Sequence, residues 1–302
     1  MATGSPDARL RDLAGRGLVA LADPGATDLA DFDVVIRDTA HLHGGDADAP
    51  GRCDAQPGRQ RGEVLLVGGG PGPLGLLTLA GAEALRAADV VVYDRLAPLG
   101  ALDLAPADAE RVPVGKIPRG EFTPQEQINA ILVDRARQGA TVVRLKGGDS
   151  FVFGRGGEEW LACASAGIPV RVVPGVTSAV AVPGLAGVPV THRAVTPGFV
   201  VVSGHVGPDD PRNQVDWAAL AGAGLTIVVL MGVATLAAIA ERLVVCGLPG
   251  DTPAAVVADG GLPSQRQVTA PLEQVAQAAQ QAGLGAPAVA IIGPTVAALT
   301  PG

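Results

Sequence analysis

The chain has 302 residues, 48% of them hydrophobic, with a formal net charge of -8. That is enough apolar sequence for one large domain or two smaller ones with proper cores, and the acidic balance argues against nucleic acid or an anionic membrane surface as a partner. Aromatic residues make up only 3%, so the cores must be built from Val, Leu, Ile and Ala, a composition suited to buried parallel strands. Cys53, Cys163 and Cys246 lie far apart with no CxxC spacing. A disulfide framework or a zinc site is therefore not expected, and a reducing compartment fits.

Residues 1–62 lack the patterning of the rest. They hold a short helical stretch (Asp7–Ala14), a strand-like Phe32–Ile36 and a tail rich in Gly, Asp, Arg and Gln. This segment is expected to be a loosely ordered extension or the remnant of a fused domain. His41 and His43 beside acids suggest surface histidines rather than a metal site. The first residues are small and acidic, so no signal peptide is expected.

From Val64 the chain alternates strand and helix. Val64–Val67 is a buried strand ending in Gly68-Gly69-Gly70-Pro71-Gly72, followed by a helix over Leu76–Ala87 and a strand over Val90–Tyr93 ending in Asp94-Arg95. Thr123-Pro124-Gln125-Glu126 reads as a capping box opening a helix that stops at Gly139. Thr141–Leu145 is a strand, Glu158–Ala166 a helix and Val170–Val173 a strand. A second series of strands covers Phe199–Val202, Leu225–Leu230, Ala254–Val257 and Val289–Ile292. This alternation implies an α/β fold of two α/β domains with mostly parallel sheets, one over 63–190 and one over 191–302. The longest uncharged stretch, Val172 to Val190, is interrupted by Pro174, Pro183 and Pro189, which argues for strand, turns and a short helix rather than a membrane span. A cytoplasmic protein is the expectation.

Two loops carry chemistry. Gly70, Gly72 and Gly75 satisfy GxGxxG after a strand, with Asp94 about twenty residues on, the pattern of a dinucleotide site. Pro71 and Pro73 weaken that reading, because they remove N–H groups that a pyrophosphate would use; a tight strand–helix turn needs glycine equally. The second loop runs from Arg144 to Glu159 and packs Lys146-Gly147-Gly148-Asp149 and Phe153-Gly154-Arg155-Gly156-Gly157-Glu158-Glu159 behind a strand. Ligands bind at such strand ends in open α/β sheets. The bland alternative is a solvated loop whose two glutamates favour a helix N-terminus.

In order along residues 63–302, these segments resemble the uroporphyrinogen-III C-methyltransferases of the tetrapyrrole methylase family. The resemblance is carried by Val64–Gly72, Ala88–Leu96, Val114-Gly115-Lys116, Gln125–Asn129, the Arg144–Glu159 block, Val173–Ala179, Thr191-His192-Arg193, Ser203-Gly204-His205, Asp216-Trp217, Met231-Gly232-Val233 and Gln265-Arg266. It implies a homodimer with S-adenosyl-L-methionine as methyl donor in a cleft between the two domains, no metal, and two successive ring-carbon methylations of a tetrapyrrole, converting uroporphyrinogen III to precorrin-2.

By motif, the resemblance assigns Pro71, Gly147, Gly148, Asp149, Val152, Thr177, Ser178, Met231 and Gly260 to the cofactor, and Asp94 and Lys116 to proton acceptance and donation. Arg155, Glu158 and Arg193 match positions facing the tetrapyrrole. On chemical grounds Asp94 is a plausible base, with Arg155 a competitor only if held neutral. Arg95, Lys116, Arg119, Arg155 and Arg193 are candidates to clamp the substrate's carboxylate arms. The sequence departs from the family's usual pattern at Pro73-Leu74, Ser150, Leu230 and Gly261. Alternatives are a methylase of the same fold acting on a later corrinoid intermediate, an NAD-dependent oxidoreductase, or a non-catalytic binding paralogue.

Overall fold

The computed structural model describes residues 62–115 and 123–299. The extension before Gly62, with its two histidines, and the residues Lys116 and Arg119 lie outside the described residues.

Among the described residues, ten strands form two five-stranded sheets. The first comprises β1 (Glu63–Gly68), β2 (Val90–Tyr93), β3 (Glu110–Pro113), β4 (Thr141–Lys146) and β5 (Val170–Val173), in the order β3-β2-β4-β1-β5. Every pairing in it is parallel. Its strands alternate their side chains between two apolar layers. Leu65, Val67, Val91, Val143 and Leu145 face helix α1 (Leu79–Arg86) and the 3-10 turns at Leu99–Leu104. Val64, Leu66, Val90, Val92 and Val142 face α2 (Gln125–Arg137) and α3 (Gly156–Ser165). Covering both faces is what lets such strands be apolar on both sides.

The second sheet comprises β6 (Phe199–Ser203), β7 (Thr226–Leu230), β8 (Pro253–Ala258), β9 (Arg266–Pro271) and β10 (Ala288–Ile292), in the order β6-β7-β10-β8-β9. Only β6 and β7 pair in parallel; the other three pairings are antiparallel. The parallel character expected of both sheets thus belongs to the first, while the second is mixed. The reason lies in the connections: β8 and β9 are joined by a short turn, which permits only an antiparallel pair. One face packs against α5 (Trp217–Gly222), α6 (Leu236–Val245) and α7 (Leu272–Gln281). The other packs against α4 (Ser178–Leu185) through Ala179 and Val182. Among the described residues Trp217 is the only buried aromatic, so the cores are aliphatic as the composition requires.

Local details differ from the sequence pattern at three places. The expected helix over Leu76–Ala87 is split: a 3-10 turn covers Leu74–Leu76, and α1 begins after Thr78, whose Oγ1 accepts from Gly81 N at 3.1 Å. The capping box does not form. Pro124 occupies the N-cap of α2 in an extended conformation, with no side-chain cap. The edge strands β3 and β9 carry no apolar run that would have announced them.

Candidate functional site

The strand order fixes where the site lies. From β1 the chain crosses over to β2, beyond β4; from β4 it crosses in the opposite direction to β5, beyond β1. The loops that follow these two adjacent strands therefore diverge and open a crevice at their C-terminal ends, the position where open parallel sheets bind ligands. Both glycine loops singled out in the sequence sit here, and they are hydrogen-bonded to each other. Gly70 N donates to Gly148 O at 3.1 Å, Gly148 N to Gly70 O at 2.7 Å, and Gly69 N to Lys146 O at 2.7 Å. Pro71 follows directly from this bridge.

A third segment closes on the same point. A Cβ on Gly175 would lie 2.3 Å from Gly148 O and 2.5 Å from Gly68 C, and one on Gly68 would lie 2.5 Å from Gly175 N. Backbone meets backbone on all sides, so only glycine fits. Asp149 locks this junction: Oδ2 accepts from Gly175 N at 3.0 Å and Oδ1 from Phe151 N at 2.8 Å. Its carboxylate thus organises the loops with one acceptor site of each oxygen. Next along, Thr177 caps α4, its Oγ1 accepting from Ala179 N at 3.3 Å. The Cβ position of Gly148 lies 3.5 Å from Ser178 Oγ and 3.9 Å from Thr177 Cα. Pro71, Gly147, Gly148, Asp149, Thr177 and Ser178 are therefore gathered in one place, with Val152 half-buried on the same loop.

From the second sheet, Met231 directly follows β7 in the left-handed region (φ 59°), the residue 49% exposed. Gly260 follows β8 and packs on α4, where its Cβ would meet Val182 at 2.5 Å. Helix α4 thus has its first turn beside Gly148 and its body on the second sheet. Phe153, Arg155, Met231 and Asp259 are the non-glycine residues with positive φ among those described, and all four sit on loops that carry or adjoin the predicted site. Such strained positions concentrate at functional loops.

Of the positions that depart from the family pattern, two touch each other. A Cβ on Gly261 (φ 84°) would lie 2.8 Å from Pro73 Cγ. A side chain at 261 would be both strained and obstructed, so Pro73 and glycine at 261 accommodate one another. Ser150 is fully buried, with no hydrogen-bond partner for its Oγ among the described residues. Leu230 is half-buried against the α4 layer.

Asp94 stands at the end of β2. Its Oδ1 accepts from Leu96 N at 3.0 Å and Ala97 N at 3.1 Å, and its Oδ2 from Arg144 Nη2 at 3.1 Å. Behind it lies a charge cluster. Arg144 and Lys146 are only 3% and 4% exposed and point from β4 towards Glu159, which is fully buried on α3. Arg144 Nε donates to Glu159 Oε1 at 2.9 Å, and Lys146 Nζ to both Glu159 oxygens at 3.0 and 3.1 Å. Burial, reinforced by the neighbouring Arg144 charge, pushes the Lys146 ammonium below its ordinary range against the pull of Glu159. The pairing of Arg144 with Glu159 was not expected from the sequence, because it spans fifteen positions and needs the fold.

Arg155 is exposed in the left-handed N-cap of α3, and its guanidinium forms a two-pronged pair with Glu158 at 2.8 and 2.6 Å. That pair holds Glu158 below and Arg155 above their ordinary pKa ranges. Arg95 and Arg193 are exposed, and no side-chain partner holds either among the described residues. His192, next to Arg193, buries Nδ1 without a partner. Asp216-Trp217 has a structural explanation: Asp216 caps α5 through Ala219 N at 3.0 Å, and Trp217 fills the core beneath.

Comparison with known proteins places this geometry in context. Residues 63–276 match the tetrapyrrole (corrin/porphyrin) methylases. The siroheme synthase of Neisseria meningitidis serogroup B is 50% identical over 237 residues, covering 78% of this chain and 48% of that protein. The chain spans about half the length of the curated relatives it matches. A uroporphyrin-III C-methyl transferase from Thermus thermophilus, solved with S-adenosyl homocysteine, superposes with a TM-score of 0.67 at 42% identity, covering 78% of this chain and all of that one. A cobalt precorrin-4 methyltransferase shares the fold, with a TM-score of 0.70 at 24% identity over 78% of this chain. With its two sheets, its paired glycine loops and a match over most of its length, the chain belongs to the tetrapyrrole methylase family.

Proposed function

We propose that this chain is an S-adenosyl-L-methionine-dependent C-methyltransferase that converts uroporphyrinogen III to precorrin-2 by two successive ring-carbon methylations. The observation that carries the reading is the 42% identity to the Thermus enzyme over that protein's whole length. The reading is confined to methylation, because the longer siroheme synthases share only about half their length with this chain. The GxGxxG loop does not favour NAD, since Gly70 gives its N–H to Gly148 and Pro71 and Pro73 have none to offer.

The residues present fit the methyl donor. Gly147 and Gly148 bring bare backbone to the crevice, and Thr177 and Ser178 begin a helix beside Gly148, where its positive end suits a carboxylate. Val152, Met231 and Gly260 would supply the apolar surroundings and close approach. When bound, the donor supplies a methyl group already activated on a sulfonium, so the protein's main task is to align it with the pyrrole carbon. In this reading Asp149 both holds the loops in place and offers its remaining acceptor sites to the methyl donor. Asp94 accepts the proton shed by the ring system, at the one acceptor site its three hydrogen bonds leave free on Oδ2. Arg95, Arg155 and Arg193 pair with the substrate's carboxylate arms, Glu158 releasing or sharing Arg155 as it does so. Lys116 is assigned the proton-donor role. In this reading the chain acts as a homodimer in the cytoplasm, with domains over 63–190 and 191–302.

The test is incubation of purified protein with uroporphyrinogen III and S-adenosyl-L-methionine under anaerobic conditions. The expected result is a product heavier by two methyl groups. Methylation of a corrinoid intermediate but not of uroporphyrinogen III would overturn the substrate assignment.

A further inference from the structure

We infer that Arg144 is a positioning residue for Asp94, held in register by Glu159 and Lys146; the inference rests on Asp94 being the proton acceptor of the proposed methylation. The four side chains form an alternating row, Lys146–Glu159–Arg144–Asp94. Three members are almost fully buried, and only the last reaches solvent, its side chain 27% exposed. The row has one anchored end and one working end.

The anchoring is geometric. A guanidinium is planar and rigid, so fixing two of its nitrogens fixes the third. Arg144 Nε is fixed on Glu159 at 2.9 Å, and Nη1 on the carbonyls of Leu145 at 3.1 Å and Val92 at 3.4 Å. Nη2 is thereby aimed at Asp94 Oδ2. Glu159 cannot swing away: both its oxygens are held by Lys146, and Gln125 Nε2 donates to Oε1 at 3.4 Å. The backbone donors of Leu96 and Ala97 fix the other Asp94 oxygen. A carboxylate offers about four acceptor sites, so the three donors fixed among the described residues leave a single site with a defined direction.

A merely structural role accounts poorly for this arrangement. A buried cluster of two cations and two anions adds little stability over apolar packing of the same volume. The adjoining positions on this face of the sheet, Val142 and Val92, are apolar. The cluster sits only at the strand ends that border the crevice. What it supplies that a valine could not is orientation of the exposed carboxylate.

The experiment is a double-mutant cycle on turnover. kcat and KM for uroporphyrinogen III are measured at saturating S-adenosyl-L-methionine for the full chain and for Arg144→Gln, Asp94→Asn and the double variant. Arg144→Gln is expected to lower kcat by roughly 10- to 100-fold, the scale of a misaligned catalytic group, with KM within about threefold. In the Asp94→Asn background the same change is expected to lower kcat by less than about twofold, because groups acting as one unit are not additive. Multiplicative effects, a change in KM alone, or full activity of Asp94→Asn would overturn the inference. Should Arg144→Gln lose S-adenosylhomocysteine binding, Arg144→Lys goes through the same cycle; it keeps the charge but cannot span Glu159 and Asp94 together, so the same non-additivity is expected. Absence of turnover in the unaltered chain overturns the proposed function and this inference with it, whereas normal turnover with multiplicative effects overturns the inference alone.

Discussion

Gly175→Ala tests the junction of the three loops most directly. The added Cβ would sit 2.3 Å from Gly148 O and 2.5 Å from both Gly68 C and Gly68 O, all backbone atoms that cannot rotate aside. Relief requires the loop after β5 to move off the Gly70–Gly148 bridge. Forced overpacking of this kind costs about 2–3 kcal/mol. The same movement stretches the 3.0 Å bond from Gly175 N to the Asp149 carboxylate, worth about 1.5–3 kcal/mol as a hydrogen bond to a charged group. Together the loss is about 3.5–6 kcal/mol, or a fall in melting temperature of roughly 7–24 °C for a chain of this size. Gly157→Ala is the matched control. Gly157 lies inside α3 with nothing within 4 Å of its Cβ position, so alanine there is expected to stabilise by about 0.5–1 kcal/mol. Both variants are followed by thermal melting under circular dichroism, with calorimetric binding of S-adenosylhomocysteine alongside. A Gly175→Ala protein melting within about 2 °C of the parent and binding normally would refute the reasoning.

Glu159→Ala leaves the buried Lys146 without its counter-charge and Arg144 with Asp94 alone, and a loss of about 3–5 kcal/mol is expected by urea unfolding, the cost of breaking a buried pair; a loss under about 1 kcal/mol would mean that water or another anion already neutralises the cluster. Burial pushes the Cys163 thiol up to about 11 from an ordinary 9.0. Its contribution to stability is fully present below pH 9 and is lost as pH rises from there to about 11, so Cys163→Ala should show a shallower fall in stability across that window; an unchanged slope would contradict the burial argument. In the unaltered protein at pH 8, mass mapping after thiol labelling should find Cys246 modified and Cys163 untouched. Arg155→Lys keeps the charge but not the two-pronged geometry, and methyl transfer is expected to fall about tenfold or more while the melting temperature barely moves. Unchanged turnover would make the exposed Arg155–Glu158 pair its whole role.

The strands of the core were legible because they are dominated by Val, Leu, Ile and Ala, as in Val90–Tyr93 and, despite Arg171, in Val170–Val173, whose observed limits match those read from the sequence. The strands β3 and β9 were not. They lie at sheet edges, mix charged and polar residues, and end in Pro113 and Pro271, features that keep an edge from pairing further and erase its pattern. The glycine loops were visible by composition alone, but their contact with each other depends on the strand order. The buried row behind Asp94 was hidden for a different reason. Arg144 and Lys146 alternate with Val143 and Leu145, a pattern that does not by itself distinguish a buried polar row from a solvated face, and Glu158-Glu159 read as two equivalent acids at a helix start. Successive helical residues face different ways, and here one glutamate is exposed and the other fully buried.

The reciprocal hydrogen bonds between Gly70 and Gly148 have a bearing on motion. The two loops leave the sheet in opposite directions and would otherwise open and close separately. Tied at 3.1 and 2.7 Å, they share one opening event. Their amide protons should exchange with solvent at a common rate, set by the free energy of parting the pair rather than by the exposure of either loop. A ligand gripping one loop then slows exchange in both, so the crevice responds to its occupant as a single hinge-less rim.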